Sequence, residues 1–104
     1  MELTKSADKV LCIVYKAYLS RLKSGAQYED AVYFDCNFYD TDQHASAIDE
    51  SAFDAALQQL GDAGYIRRYI DGGFMLLPAA IAHMENRFKK GLKEVLETIA
   101  GFIP

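Results

Sequence analysis

Two adjacent glutamines and two adjacent arginines carry the side chains best suited to contacting nucleic acid. Gln58 and Gln59 precede Arg67 and Arg68 by one short segment of chain. A glutamine amide can donate to and accept from an adenine edge in the major groove, and a guanidinium binds phosphate. The arginines are neighbours on a β-prone run, so they point to opposite faces and at most one lies on a given DNA-facing surface.

The charge around these four residues opposes that chemistry. Between Ala26 and Gly64 the chain carries nine acidic residues and no Lys or Arg, and its net charge is −4. Duplex binding depends strongly on Lys and Arg displacing counterions from the phosphates. The segment 26–64 therefore disfavours double-stranded DNA as a partner without excluding it.

One acidic segment has the alternating spacing of a calcium loop, but the rest of that motif is missing. Residues 40–46 read Asp-Thr-Asp-Gln-His-Ala-Ser; Ala45 stands where the turn needs Gly, and Ser51 where a bidentate Glu belongs. His44 and His83 lack partners at zinc-binding spacing. The sequence also has no phosphate loop and no nucleophile elbow. We therefore predict no metal site, no cofactor and no enzymatic activity.

Length and composition predict one globular domain spanning residues 1–104. Half of the residues are apolar and a quarter are charged, which is the usual globular balance. No run approaches the ~20 apolar residues of a membrane span. Cys12 and Cys36 have no flanking Cys or His partners, so we expect two buried thiols in a reducing compartment. These features predict a cytoplasmic protein without a membrane partner.

Apolar spacing predicts three helices in the first two thirds of the chain. The first helix begins at Ser6 as N-cap and ends near Gly25, and its apolar positions recur at three- and four-residue steps. They are Leu11, Val14, Tyr15, Tyr18, Leu19 and Leu22. A second helix is predicted over residues 28–38, although Val32-Tyr33-Phe34 is β-prone. The third helix has Asp49 as N-cap, and Gly64 follows its end.

The last third predicts a β-hairpin and one long helix. Residues 65–70 and 74–77 are β-prone runs separated by Asp71-Gly72-Gly73, which suits a three-residue hairpin turn. Pro78 suits the first turn of the next helix. Apolar residues then keep a helical stripe over residues 79–103, with Gly91 as the weak point of that helix.

This order of elements, with Leu57-x-x-Leu60-x-x-x-Gly64-Tyr65-Ile66 leading into Gly73-Phe74-Met75-Leu76-Leu77, resembles the winged helix-turn-helix superfamily. Within it, the chain looks most like the small bacterial YjcQ-like proteins. The resemblance implies a mainly α (α+β) fold with three helices, a two-stranded wing and a long C-terminal helix. Two departures are Leu77-Pro78, where many relatives have Leu-Thr, and the segment 25–48, which is longer than a second helix and turn require.

Two functions remain open at this point. The resemblance implies a small DNA-binding transcriptional regulator, with Gln58 and Gln59 on the third helix and Arg67 or Arg68 on the wing contacting the operator. The charge favours a winged-helix protein-protein interaction module that uses its acidic third helix and its C-terminal helix and does not bind DNA.

The stripe on the last helix predicts a homodimer. Each large apolar side chain left in water forgoes ~1.5–3 kcal/mol of burial, and twofold dimers are the commonest soluble oligomers. The candidate interface residues are Phe88, Leu92, Val95, Leu96, Ile99 and Phe102. The alternative is that this helix folds back onto its own domain and the protein is a monomer.

Overall fold

A computed structural model describes residues 3–102 of the protein. The elements in chain order are α1 (Lys5–Lys23), α2 (Tyr28–Ala31), β1 (Tyr33–Phe34), α3 (Phe38–Thr41), α4 (Glu50–Asp62), β2 (Ile66–Arg68), β3 (Phe74–Leu76), α5 (Pro78–Arg87) and α6 (Leu92–Gly101). The strands form an antiparallel sheet in the order β1-β3-β2. The described part of the chain is thus mainly helical with one small sheet, an α+β arrangement.

Helix α1 is the axis of the molecule. Every side chain from Val10 to Lys16 is buried, whereas an amphipathic surface helix would bury a single stripe. Helices α2, α4, α5 and α6 all pack against it. The helix begins two residues earlier than predicted, because the Thr4 hydroxyl, and not Ser6, caps it by accepting from the Ala7 N–H at 3.2 Å.

The predicted second helix is wrong over its central part. Residues 28–38 instead contain the short helix α2, strand β1 and the start of α3. Tyr33 pairs with Met75 and Phe34 with Phe74, so β1 adds a third strand to the hairpin. The rings of Phe34 and Phe74 stack with centroids 5.0 Å apart. The β-prone aromatic residues thus pair with the hairpin instead of extending a helix.

The hairpin itself forms where the sequence predicts it, with shorter strands. Arg67 pairs with Met75, and the connection spans Tyr69 to Gly73. The Tyr69 N–H donates to the Gly73 C=O at 2.9 Å. Gly73 lies so close to β1 that an added Cβ would stand 2.9 Å from the Phe34 carbonyl oxygen. Only glycine fits at this position without displacement of the neighbouring strand.

The single C-terminal helix predicted over residues 79–103 is wrong. Helix α5 ends at Arg87 and α6 begins at Leu92, and between them Gly91 adopts φ 75° and ψ −141°. This combination is populated almost only by glycine. The break lets α6 pack against α1 of its own chain. Ile103, the end of the predicted stripe, lies outside the described residues.

Because of the break, most of the predicted dimer-interface residues pack within their own chain. Phe88, Val95 and Ile99 are buried in their own chain, and Phe102 packs against the same core. Leu92 is half-buried, and Leu96 keeps 41% of its surface exposed. Most of the stripe that motivated the dimer therefore covers α1.

The two cysteines differ from each other. Cys12 is buried in α1, and burial raises the pKa of its thiol to about 12. Cys36 is exposed in the turn after β1, so the prediction of two buried thiols is wrong for this residue. Its side chain borders the hairpin, since a Cβ on Gly72 would approach the Cys36 Cβ to 3.1 Å.

A buried lysine anchors the loop that precedes α4. The Lys16 Nζ donates to Asp42 Oδ2 at 2.6 Å and to His44 Nδ1 at 3.1 Å, and Asp42 Oδ1 accepts from the backbone N–H groups of His44 and Ala45. Burial and the nearby ammonium lower the pKa of His44. Among residues 3–102, no group of three or more His, Cys, Asp or Glu side chains is placed to hold a metal ion.

Substitution of two glycines tests the break between α5 and α6. Gly61→Ala should raise the free energy of unfolding by ~0.5–1 kcal/mol, because this helical glycine has open space around it. Gly91→Ala should lower it by ~1–3 kcal/mol, because alanine resists the backbone conformation found there. Urea denaturation measures both. Stabilisation by both variants would show that the helix continues through residue 91.

The pH dependence of stability tests the Lys16–His44 contact. The pKa of His44 is lowered from about 6.5 in the folded state. Below that pH the unfolded chain therefore binds more protons, and the free energy of unfolding should fall as the pH drops from 7 toward ~5.5. His44→Gln should flatten this part of the profile, because its amide oxygen still accepts from Lys16 and does not titrate. His83→Gln is the matched control, and equal slopes in all three proteins would contradict the assignment.

Candidate functional site on helix α4 and the hairpin

Helix α4 presents an acidic face to solvent. Its N-cap is Asp49, as predicted, and the carboxylate accepts from the Ala52 N–H at 3.2 Å. The apolar residues of α4 are buried, and α4 packs against α1. The exposed residues of the helix are Glu50, Ser51, Asp54, Ala55, Gln58 and Asp62. Because α4 contains no Lys or Arg, the charge of this face is negative throughout.

Both candidate glutamines are engaged within the chain. The Gln59 Oε1 accepts from the backbone N–H and the hydroxyl of Thr4, both at 2.9 Å, which ties the start of α1 to α4. The Gln58 Nε2 donates to Asp62 Oδ1 at 3.2 Å on the same helix. Gln59 is half-buried by its contact, whereas Gln58 remains exposed beside a carboxylate.

The two candidate arginines lie on different sides of β2. Arg68 reaches α4, where its Nη2 donates to Asp54 Oδ1 at 2.7 Å. Arg67 is exposed and aligns across the sheet with Met75 and Tyr33, so it shares the outer face of the sheet with them. The structure therefore brings Arg68, but not Arg67, to the side of the sheet that borders α4.

An open cleft of about 480 Å³ separates α4 from the hairpin. Glu50 and Asp54 line it from the helix, and Arg68 lines it from β2. Tyr39 of α3 adds an aromatic surface, and its ring packs against the buried Phe53 of α4 with centroids 5.1 Å apart. The cleft thus combines carboxylates with an accessible aromatic ring, the two kinds of group that accommodate a long cationic side chain.

The tyrosines beside the cleft and on the sheet lie near several carboxylates. Burial raises the pKa of Tyr39, and the charges of Glu50 and Asp49 raise it further. Its hydroxyl donates to the Ile48 carbonyl. On the outer face of the sheet, Asp71 is the main cause of the raised pKa of Tyr33. Nearby carboxylates thus disfavour a second negative charge at both residues, as the main cause at Tyr33 and as a lesser cause than burial at Tyr39.

Sequence reasoning missed Tyr39 and Cys36 as residues of this site. Both lie in the segment that was assigned to a single second helix and a loop. The signal present in the sequence was the aromatic pair Phe38-Tyr39 after Asn37. In the structure Asn37 is the N-cap of the short helix α3, and the aromatic pair forms its first two residues. That signal could not place Tyr39 against Phe53, because their contact depends on how α3 packs beside α4.

Comparisons with protein-family models, with curated proteins and with solved structures find no match for this chain. Within residues 3–102, no helix combines the length and the apolar character needed to cross a membrane.

We expect duplex DNA to bind weakly or not at all at physiological salt. The substitutions Glu50→Gln and Asp62→Asn should raise the affinity for duplex DNA, because they remove negative charges that repel the phosphates. Fluorescence anisotropy with random and genomic duplex fragments measures this. Tight binding that is lost in Gln58→Ala or Gln59→Ala, but not in Arg67→Ala or Arg68→Ala, would show that α4 reads DNA despite its charge.

Proposed function

We propose that this protein is a protein-protein interaction module that binds a basic segment of a partner along the acidic face of α4 and in the adjoining cleft. The observation that carries the proposal is the run of Glu50, Asp54 and Asp62 on the exposed side of a helix without Lys or Arg. The one guanidinium that lines the cleft, that of Arg68, is already paired with Asp54.

DNA binding is the competing function, and the resemblance to the winged helix-turn-helix superfamily supports it. In such a domain α4 would be the recognition helix and the hairpin the wing. The charge argues against this, since phosphates would meet carboxylates on α4 and only Arg67 would be free to neutralise them from the hairpin. The internal contact of Gln59 with Thr4 also removes one of the two amides from base recognition.

A basic segment suits this surface for three reasons. Opposite charge accelerates encounter and disfavours wrong partners. The carboxylates lie at the surface and keep part of their hydration when a cation binds, so their desolvation cost is small. The half-buried ring of Tyr39 offers contact for the apolar stem of a lysine or an arginine. Binding should therefore weaken as salt concentration rises.

Titration with a defined peptide tests the proposal. The probe is a fluorescein-labelled amphipathic helix of Leu and Arg, and its affinity is measured by anisotropy at low and physiological salt. Glu50→Gln and Asp62→Asn should each weaken binding about twofold to fivefold, because each removes a solvent-exposed charge pair. Glu29→Gln and Asp30→Asn on α2 remove the same charge away from α4 and serve as matched controls.

Two outcomes of that titration would contradict the proposal. One is that the control substitutions on α2 weaken binding as much as those on α4, which would mean attraction to net charge alone. The other is that the protein does not bind the basic peptide even at low salt. Duplex DNA of matched charge density and an acidic peptide of the same length complete the comparison, and neither should bind.

We further propose a homodimer through the part of α6 that remains exposed. Leu92, Leu96 and Ala100 border an open groove of about 450 Å³ beside α1. Lys93 and Glu97 flank this stripe and carry opposite charges. An antiparallel twofold copy would therefore place each lysine near the glutamate of its partner. Because the stripe is short, the dimer should be weak.

Sedimentation equilibrium at tens of micromolar tests the dimer. Leu96→Asp should shift the mass toward the monomer without unfolding the protein, because Leu96 is 41% exposed. Ile70→Asp at the tip of the hairpin removes another exposed apolar side chain and should leave association unchanged. Val95→Asp should unfold the chain, since Val95 is fully buried. A monomer mass for the unsubstituted protein at these concentrations would refute the dimer.

A further inference from the structure

Arg68 already fills part of the cleft that the proposed function assigns to a basic partner. It extends from β2 to α4, and among the described residues its side chain makes one hydrogen bond, from Nη2 to Asp54 Oδ1 at 2.7 Å. The contact joins two elements that lie on opposite sides of the cleft. A partner's cation that binds at Asp54 therefore competes with a guanidinium of this chain for the carboxylate.

We propose that Arg68 is an internal competitor for the partner, and that the group it imitates is an arginine side chain. The inference rests on the proposed function, because it names the chemistry of the partner at that same cleft. In the free protein Arg68 donates a hydrogen bond to the Asp54 carboxylate. In the complex the partner's guanidinium binds that carboxylate instead, and the Arg68 side chain moves into solvent.

The geometry of the pair allows this exchange. The side chain of Asp54 is 67% exposed and that of Arg68 is 32% exposed, and exposed ion pairs are weak and easily replaced. Arg68 bonds to only one carboxylate oxygen. A guanidinium arriving from solvent can contact both oxygens with two parallel hydrogen bonds, which is the stronger arrangement. An ammonium cannot form that pair of bonds, so the site favours arginine over lysine.

Arg67 provides the matched control within the same strand. It carries the same charge one residue earlier, and it lies on the outer face of the sheet beside Met75 and away from Asp54. Removal of either arginine makes the protein more negative by one charge, so either variant should attract a basic peptide slightly better. Only the removal of Arg68 also vacates the carboxylate.

Anisotropy titrations with two labelled peptides test the competition, one made of Leu and Arg and the other with Lys in place of Arg. Arg68→Ala should bind the Arg peptide about threefold to fivefold more tightly than the unsubstituted protein does, and Arg67→Ala less than about twofold more tightly. Arg68→Lys keeps the charge but forms a weaker contact with Asp54. Its affinity for the Arg peptide should therefore lie between that of the unsubstituted protein and that of Arg68→Ala. The gain of Arg68→Ala should be smaller for the Lys peptide.

The possible outcomes separate the two levels of the proposal. If Glu50→Gln and Asp62→Asn weaken binding but Arg68→Ala and Arg67→Ala behave alike, the competition is refuted and the proposed function survives. If Arg68→Ala weakens binding, Arg68 helps to hold the partner and the inference is also refuted. If no variant binds either peptide at low salt, the proposed function itself fails and the competition falls with it.

Discussion

The burial of α1 along seven consecutive residues is the constraint on which the rest of the structure depends. A helix buried on one side needs one neighbour, but Val10 to Lys16 need cover on several sides. Helices α4 and α6 make the most extensive contacts with α1, and α2 and α5 add to the cover. Lys16 belongs to the same buried run, and it is accommodated because Asp42 and His44 satisfy its ammonium. The loop before α4 is thereby held at a fixed place.

The position of α4 follows from this packing, and the acidic surface follows from the position of α4. Its apolar stripe packs inward, so its remaining side chains point to solvent. The hairpin lies alongside because Tyr65, just after the helix, continues directly into β2. A cleft therefore opens between the helix and the strand, and the carboxylates of α4 decide its charge. A surface that binds duplex DNA would need the opposite charge here.

Much of this arrangement could be predicted from the sequence, because it depends on local signals. Asp49 and Gly64 mark the ends of α4, and Asp71-Gly72-Gly73 marks the hairpin turn. Two features were signalled only weakly, by the β-prone run Val32-Tyr33-Phe34 and by Gly91, because tertiary packing overrides local preference. Strand β1 exists only where β3 offers a partner, and the break at Gly91 is favourable only because α6 can then cover α1. The same holds for the site. Its negative charge could be predicted from the sequence, whereas the Arg68–Asp54 and Gln59–Thr4 contacts could not, because they join residues far apart in the chain.

The central claim is that the α4 face attracts cations and repels phosphate, and the local electrostatic potential can be measured residue by residue. A cationic and an anionic nitroxide of equal size are added in turn to the isotope-labelled protein, and the paramagnetic relaxation of each amide proton is recorded by NMR. The account predicts that the amides of Glu50 to Asp62 relax faster with the cationic nitroxide, and that raised salt diminishes the difference. Faster relaxation of these amides by the anionic nitroxide would contradict it.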